Sequence, residues 1–381
     1  MIIINRLVVL LVLFAISSCA DMPLRDPGST RPFRRVMLFN GAGFKTAMFL
    51  GMYKAAKDND LAPDAIIAGC GGAVAAGIVN QIADSEKQLE FVKGYEFYKF
   101  LKSIEMTEYS SLGKTVKLAA GYNIKNRFAN KVPNIFDKYL MHIPDQIGMP
   151  IFQHSIGDGE VPILIVGGKA LFNKSEVGAP IDKKLFKEVY FTGQEMAVLL
   201  EGFLSPIAQQ FPQSSVMSET AAILDVSLED AIRSSISDMF YVNPKKIGED
   251  YYITGAIDLH PIELASFLAE EIMMLYTPKF DPILEEGAMQ AAFHYSYNQR
   301  LKSIQREEQG VDYWIDYTDF PSKFSLQPSV RLSKLAVTSG MPDDYQEFRN
   351  IVHAQYWYGY NRTIEAIKNQ GSLKHIRNKN W

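Results

Sequence analysis

Apolar positions early in the chain follow two rhythms. Arg35-Val36-Met37-Leu38-Phe39 and Ala65-Ile66-Ile67-Ala68 contain short unbroken apolar runs, the pattern of strands buried on both faces. Between them, Phe44 to Asn59 carries Ala47, Leu50, Met52 and Ala55 near helical spacing, and Pro63 ends that pattern. Small residues from Gly72 to Gly77 let a further helix lie close against a sheet. This strand–helix–strand–helix order predicts a parallel, helix-covered sheet.

Further along, Ser85 to Ile104 reads as one amphipathic helix, and Met106 to Pro150 is poorly periodic. Pro162 to Val166 and Glu188 to Thr192 read as strands. Gln194 to Val226 mixes helix-like pieces with Pro206 and Pro212. Ser227-Leu228-Glu229-Asp230 opens a helix ending near Ile236 with a capping-box-like start. Strands are expected at Tyr251 to Ile253, Glu271 to Tyr276 and Val311 to Tyr317, and helices over Gly287 to Gln309 and Asp343 to Asn369.

Composition is globular, with 47% hydrophobic and 22% charged residues over 381 positions. The formal net charge of −4 offers no basic face for phosphate, so nucleic acid is not an expected partner. The six histidines are scattered without ligand spacing, so no metal is expected, and no cofactor is implied.

The N-terminus changes the picture. Leu7 to Ile16 is an apolar run too short to span a bilayer, and Ile16-Ser17-Ser18 leads into Cys19. This reads as a signal peptide over residues 1–18, and small residues before a cysteine resemble the bacterial lipobox. Cys19 would then carry lipid on a tether over residues 19–33, anchoring the protein in the cell envelope. Ala20 after the cysteine implies, by that resemblance, the outer membrane facing the periplasm. An uncleaved anchor or a plain signal peptide is the other reading. The remainder, residues 34–381, reads as one domain, with its motifs within 34–265 and an α/β extension over 266–381.

Ala68-Gly69-Cys70-Gly71-Gly72-Ala73 joins the second strand to the small-residue helix. A strand, a sharp turn carrying a nucleophile and a helix make a nucleophile elbow. With Cys19 lipidated, Cys70 has no intramolecular partner, which leaves either a reactive thiol or a small buried hydrophobe.

Four segments resemble the patatin-like phospholipases, lipid acyl hydrolases that use a serine–aspartate dyad. Gly41 to Gly51 (GAGFKTAMFLG) is similar to the family's glycine-rich loop, and Ala68 to Ala73 overlays its Gly-Thr-Ser-Ala-Gly-Ala. Ala231 to Pro244 (AIRSSISDMFYVNP) resembles the segment before the second motif, and Tyr251 to Ile262 (YYITGAIDLHPI) the motif itself. The resemblance implies a three-layer α/β/α fold with a mainly parallel sheet and a nucleophile elbow. It also implies an oxyanion hole at Gly41, Ala42, Gly43 and Gly71, and a membrane lipid or fatty acyl chain as ligand.

Departures from that pattern bear on the chemistry. Cys70 stands at the serine, and Thr254 at the dyad aspartate, or Ile253 in another register. Neither can act as a base near neutral pH. Asp258 and His260 follow four and six residues after Thr254, as auxiliary candidates or as solvated loop residues. Lys45 is a further candidate, or a solvated helix charge.

Three readings follow. Ordinary hydrolase activity is lost or weak, because no carboxylate accompanies the sulfur. Alternatively, Cys70 acts as a base-free thiolate at a helix N-terminus. Or the protein binds lipid, or serves the envelope structurally, without catalysis. The aromatic stretches Phe91 to Phe100 and Met196 to Phe211 are candidates for an acyl channel or plain core.

Overall fold

The computed structural model describes residues 31–41, 43–111, 113–114, 130–280, 286–306, 310–327, 329–331 and 336–376. Strands β1 (Phe33–Phe39) and β2 (Ala65–Gly69) lie parallel, with Met37 opposite Ile66 and Phe39 opposite Ala68. On the far side of β2 comes β3 (Ile163–Ala170), also parallel. Then β4 (Phe186–Thr192) runs antiparallel to β3, with β5 (Ala221–Ile223) parallel beyond it. The short hairpin of β6 (Lys245–Ile247) and β7 (Asp250–Ile253) joins the sheet through β7, antiparallel to β3. At the other edge β8 (Ala269–Tyr276) is parallel to β1, and β9 (Tyr313–Asp316) to β8. The result is a mixed, mostly parallel sheet with helices on both faces, the α/β class expected from the sequence.

Period-two alternation explains the two faces. Met37, Phe39, Ile66, Ala68, Ile163 and Ile165 point into one apolar layer. Their neighbours Val36, Leu38, Ala65, Ile67, Leu164 and Val166 point into the other. The first layer is closed by α1 (Thr46–Asp58), α2 (Gly71–Gln81) and the long α11 (Tyr345–Lys368). The second is closed by α8 (Ile262–Leu268), α9 (Glu286–Phe293) and α10 (Tyr297–Ile304).

Two expected helices are each broken in two. Residues 85–104 form α3 (Ser85–Lys93) and α4 (Tyr95–Lys102), separated by Gly94 in an extended conformation. The segment from Gly287 breaks after α9 at His294, whose φ of 58° lies in the left-handed region. Apolar spacing continues across both breaks, so periodicity alone does not reveal them. Residues 194–226 resolve into α5 (Gln194–Leu199), α6 (Pro206–Gln210) and β5, with Pro206 at the first turn of its helix, where its missing N–H is harmless. The expected helix after Ser227 is α7 (Leu228–Ser235), capped by the Ser227 hydroxyl accepting from the Asp230 N–H.

Among the described residues no helix is long and apolar enough to cross a membrane. Cys19 and its flanking segment lie outside the described residues.

Candidate active site

Cys70 sits between the end of β2 and the first turn of α2 with φ 50° and ψ −131°. A non-glycine residue rarely adopts this conformation, which costs on the order of 1–3 kcal/mol. It holds the side chain at the crest of a strand-to-helix corner. Two bonds brace the turn: the Cys70 N–H donates to Ser235 Oγ at 2.9 Å, and the Ser235 hydroxyl donates to the Val166 carbonyl at 2.6 Å.

Close backbone approach explains the glycines around it. A Cβ on Gly71 would lie 2.0 Å from the Gly43 carbonyl oxygen. One on Gly255 would lie 2.8 Å from the Cys70 nitrogen. Gly41 also adjoins the corner, since a Cβ there would come 3.4 Å from that of Cys70. The structure therefore brings Gly41, Gly43 and Gly71 together around Cys70; Ala42 lies outside the described residues. The Gly71 N–H, free of an intrahelical partner at the start of α2, lies next to the sulfur and favours its charged form.

A carboxylate stands at the sulfur, where the sequence led us to expect none. Cys70 Sγ donates to Asp238 Oδ2 at 3.4 Å. Asp238 belongs to the turn after α7, within the segment that resembles the one preceding the second motif. Thr254, at the foot of β7, donates its hydroxyl to the other oxygen, Asp238 Oδ1. The Thr254 hydroxyl accepts from the Ala256 N–H at 2.8 Å, and its backbone N–H donates to Ser237 O at 3.1 Å. Below the turn Arg233 is wholly buried. It donates to the carbonyls of Ile143 and Pro144 at 2.9 Å, to that of Asn243 at 3.3 Å, and to Ser237 Oγ.

The electrostatics oppose a free thiolate. Burial pushes the Cys70 thiol well above its usual range, and the Asp238 charge pushes the same way. The Gly71 N–H and the Lys45 charge pull it down by less. Burial also raises Asp238 above the ordinary carboxylate range, against the hydrogen bonds from Thr254 and Cys70. Both shifts favour the proton-bound forms, so the sulfur rests as a neutral thiol bonded to Asp238. Lys45 acts on this site at a distance, with its ammonium 5.3 Å from the centre of the Phe320 ring.

Asp258 and His260 are buried elsewhere, in a network around Arg300. Asp258 pairs with Arg300 at 2.9 Å and accepts from the His260 N–H at 3.1 Å. The His260 ring lies 2.7 Å from the Thr277 hydroxyl. Burial, helped by the Arg300 charge, lowers this histidine to about 3, so its ring is neutral. Glu263 also pairs with Arg300, and Glu188 is enclosed by the hydroxyls of Tyr190 and Ser205 at 2.8 and 2.7 Å. No described hydrogen bond links Asp258 or His260 to Cys70.

Phe44, just after the Gly43 turn, helps line a small crevice of about 10 Å³, room for little more than a water molecule, with Leu101, Ile104, Met106, Met141 and Met341. Leu101 comes from α4, whose Phe97, Tyr98 and Phe100 are core. Met196 and Ile207 in the second aromatic stretch are buried core as well, whereas Val198 and Leu204 are exposed. Among the described residues no group of three or more His, Cys, Asp or Glu side chains could hold a metal ion.

Asp238 is the residue that sequence reasoning missed. Its local signal is thin: a lone aspartate after three serines in four positions, on a loop with no periodicity.

No protein-family model matches the chain, and a search of curated proteins finds no match. Among solved structures the chain is similar to VipD from Legionella pneumophila, at 12% identity over 90% of this chain and 68% of that one, with a TM-score of 0.32. So loose a superposition bears on neither the site nor the function.

Proposed function

We propose that the protein is a patatin-like acyl hydrolase in which Cys70 is the nucleophile and Asp238 its base. The observation that carries this reading is the 3.4 Å bond from Cys70 Sγ to Asp238 Oδ2 at a strand-to-helix corner. A nucleophile within reach of a base that a third group orients is the arrangement covalent catalysis needs.

The sulfur attacks the ester carbonyl carbon while its proton passes to Asp238 Oδ2. The negative charge that forms on the carbonyl oxygen is met by the Gly71 N–H and the glycine loop at Gly41 and Gly43. Collapse breaks the C–O bond, Asp238 returns the proton to the leaving alkoxide, and a thioester remains on Cys70. Water then attacks the thioester, giving a proton to Asp238. The acid is released, and Cys70 leaves as thiol with that proton. By the same reading Cys19 is lipidated and holds the protein at the outer membrane, next to its lipid substrate or ligand.

A binding role without catalysis is favoured by one observation: the thiol is held neutral by burial and by a neighbouring charge. Substrate hydrolysis separates the two readings. With a short-chain nitrophenyl ester, the full chain should show turnover that Cys70→Ala removes. Mass spectrometry of the wild type under turnover should show an acyl adduct on Cys70. Absence of both turnover and adduct, together with a copurified acyl chain, would establish binding alone.

A further inference from the structure

We infer that Thr254 is a positioning residue, whose hydroxyl locks the Asp238 carboxylate so that one oxygen is held for the sulfur. Its effect on turnover rests on the acyl hydrolase reading; its effect on the thiol rests on the geometry alone.

A carboxylate on a short side chain turns easily about its last bond, because that torsion has a broad, roughly two-fold profile. Here both oxygens are assigned. Oδ2 takes the Cys70 S–H, and Oδ1 takes the Thr254 hydroxyl. The direction of that hydroxyl is fixed in turn. Its oxygen already accepts the Ala256 N–H at 2.8 Å, which leaves its single hydrogen for Asp238. Hydrogen bonds therefore converge on the carboxylate, from backbone N–H to hydroxyl to Oδ1 on one side and from the thiol to Oδ2 on the other.

The backbone supports the same arrangement. Thr254 N–H binds Ser237 O at 3.1 Å, one residue before the acid. Thr254 is 0% exposed, so water does not compete for its hydroxyl. Where the resemblance places an aspartate, this chain has a hydroxyl, and the carboxylate arrives from the facing turn instead. The hydroxyl does for Oδ1 what a free carboxylate could not do for itself: it sets which oxygen faces the sulfur. It also opposes the effect of burial on Asp238 and so keeps the base available at lower pH.

Thr254→Val keeps the shape and removes the donor. We expect kcat on a short-chain ester to fall about tenfold or more with KM little changed, since small misplacements of a catalytic group are costly. The acid limb of the pH–rate profile should move to higher pH. Thr254→Ser should restore both. A purely structural role would lower stability and leave the acid limb where it is. Thr254→Ala replaces the valine variant if the latter does not fold.

A readout without turnover is the infrared S–H stretch of Cys70, taken as the difference from Cys70→Ala. It should shift toward a weaker hydrogen bond in Thr254→Val and return in Thr254→Ser. A wild-type band and a wild-type acid limb in the valine variant would overturn the assignment. A shifted band in a protein that never turns over ester would uphold Thr254 and remove the hydrolase reading.

Discussion

Replacing Asp238 by asparagine is expected to slow ester cleavage by about 10²–10⁴-fold while making Cys70 easier to alkylate. The two effects have one cause and opposite signs. In the proposed mechanism Asp238 receives the thiol proton during attack, and an amide would not. As a charge beside the sulfur, Asp238 raises the thiol, so its removal favours the thiolate. Each unit by which the thiol falls is a tenfold gain in thiolate at a pH below its titration. Iodoacetamide labelling at pH 8 reads that gain directly, in a Cys19→Ser background so that one thiol reports. In the wild type the same reagent should act more slowly than on a free cysteine, because burial holds Cys70 neutral. Labelling that falls together with activity would show that Asp238 stabilises the thiolate, which is a different mechanism. Unchanged activity would remove Asp238 from the chemistry.

Arg300→Met is expected to cost about 3–5 kcal/mol of stability above neutral pH, since it leaves buried carboxylates without their cation. Arg300 pairs with Asp258 and Glu263 and donates to the His260 carbonyl at 3.0 Å. Its charge also lowers Glu188. The pH dependence follows from the shifts. Burial raises Asp258 from 3.8 to about 6, and Glu188 from 4.5 to about 8. Both carboxyls bind protons more tightly folded than unfolded, so their stabilisation is complete below about pH 4 and is lost as pH climbs toward 8. The wild type should therefore weaken across that interval, and Glu188→Gln should flatten its upper part. In Arg300→Met the carboxyls rise further, and the deficit should be small at pH 5 and large at pH 8. Urea melts of both variants at the two pH values test this; equal deficits would show that Arg300 contributes by packing alone.

What the sequence disclosed and what it hid have physical reasons. The corner at Cys70 was legible because a fully buried strand and a run of small residues leave a local pattern. The long last helix was legible for the same reason, expected over Asp343 to Asn369 and found at Tyr345–Lys368. Strand direction was not: Glu188 to Thr192 reads as a strand in either sense, and only its pairing makes β4 antiparallel to β3. Asp238 was hidden because nothing local separates a loop aspartate turned inward from a solvated one, and its partner is 168 residues away in sequence. Asp258 and His260 read as an emerging loop, and their shared partner Arg300 lies 42 and 40 residues further along the chain. The resemblance pointed to Thr254, which binds Asp238, and gave no hint of the carboxylate on the facing turn.

Arg233 adds a consequence for local opening. Its guanidinium gathers oxygens from residues 143–144, from 237 and from 243, stretches that meet only after the intervening chain has been laid down. These bonds hold the turn that carries Asp238 and are separate from the strand pairing of the sheet. Local opening of that turn would part the Asp238 carboxyl from the sulfur while the sheet stayed paired. Amide exchange at Tyr241 and Val242, both bonded to the Asp238 carbonyl, would time that opening.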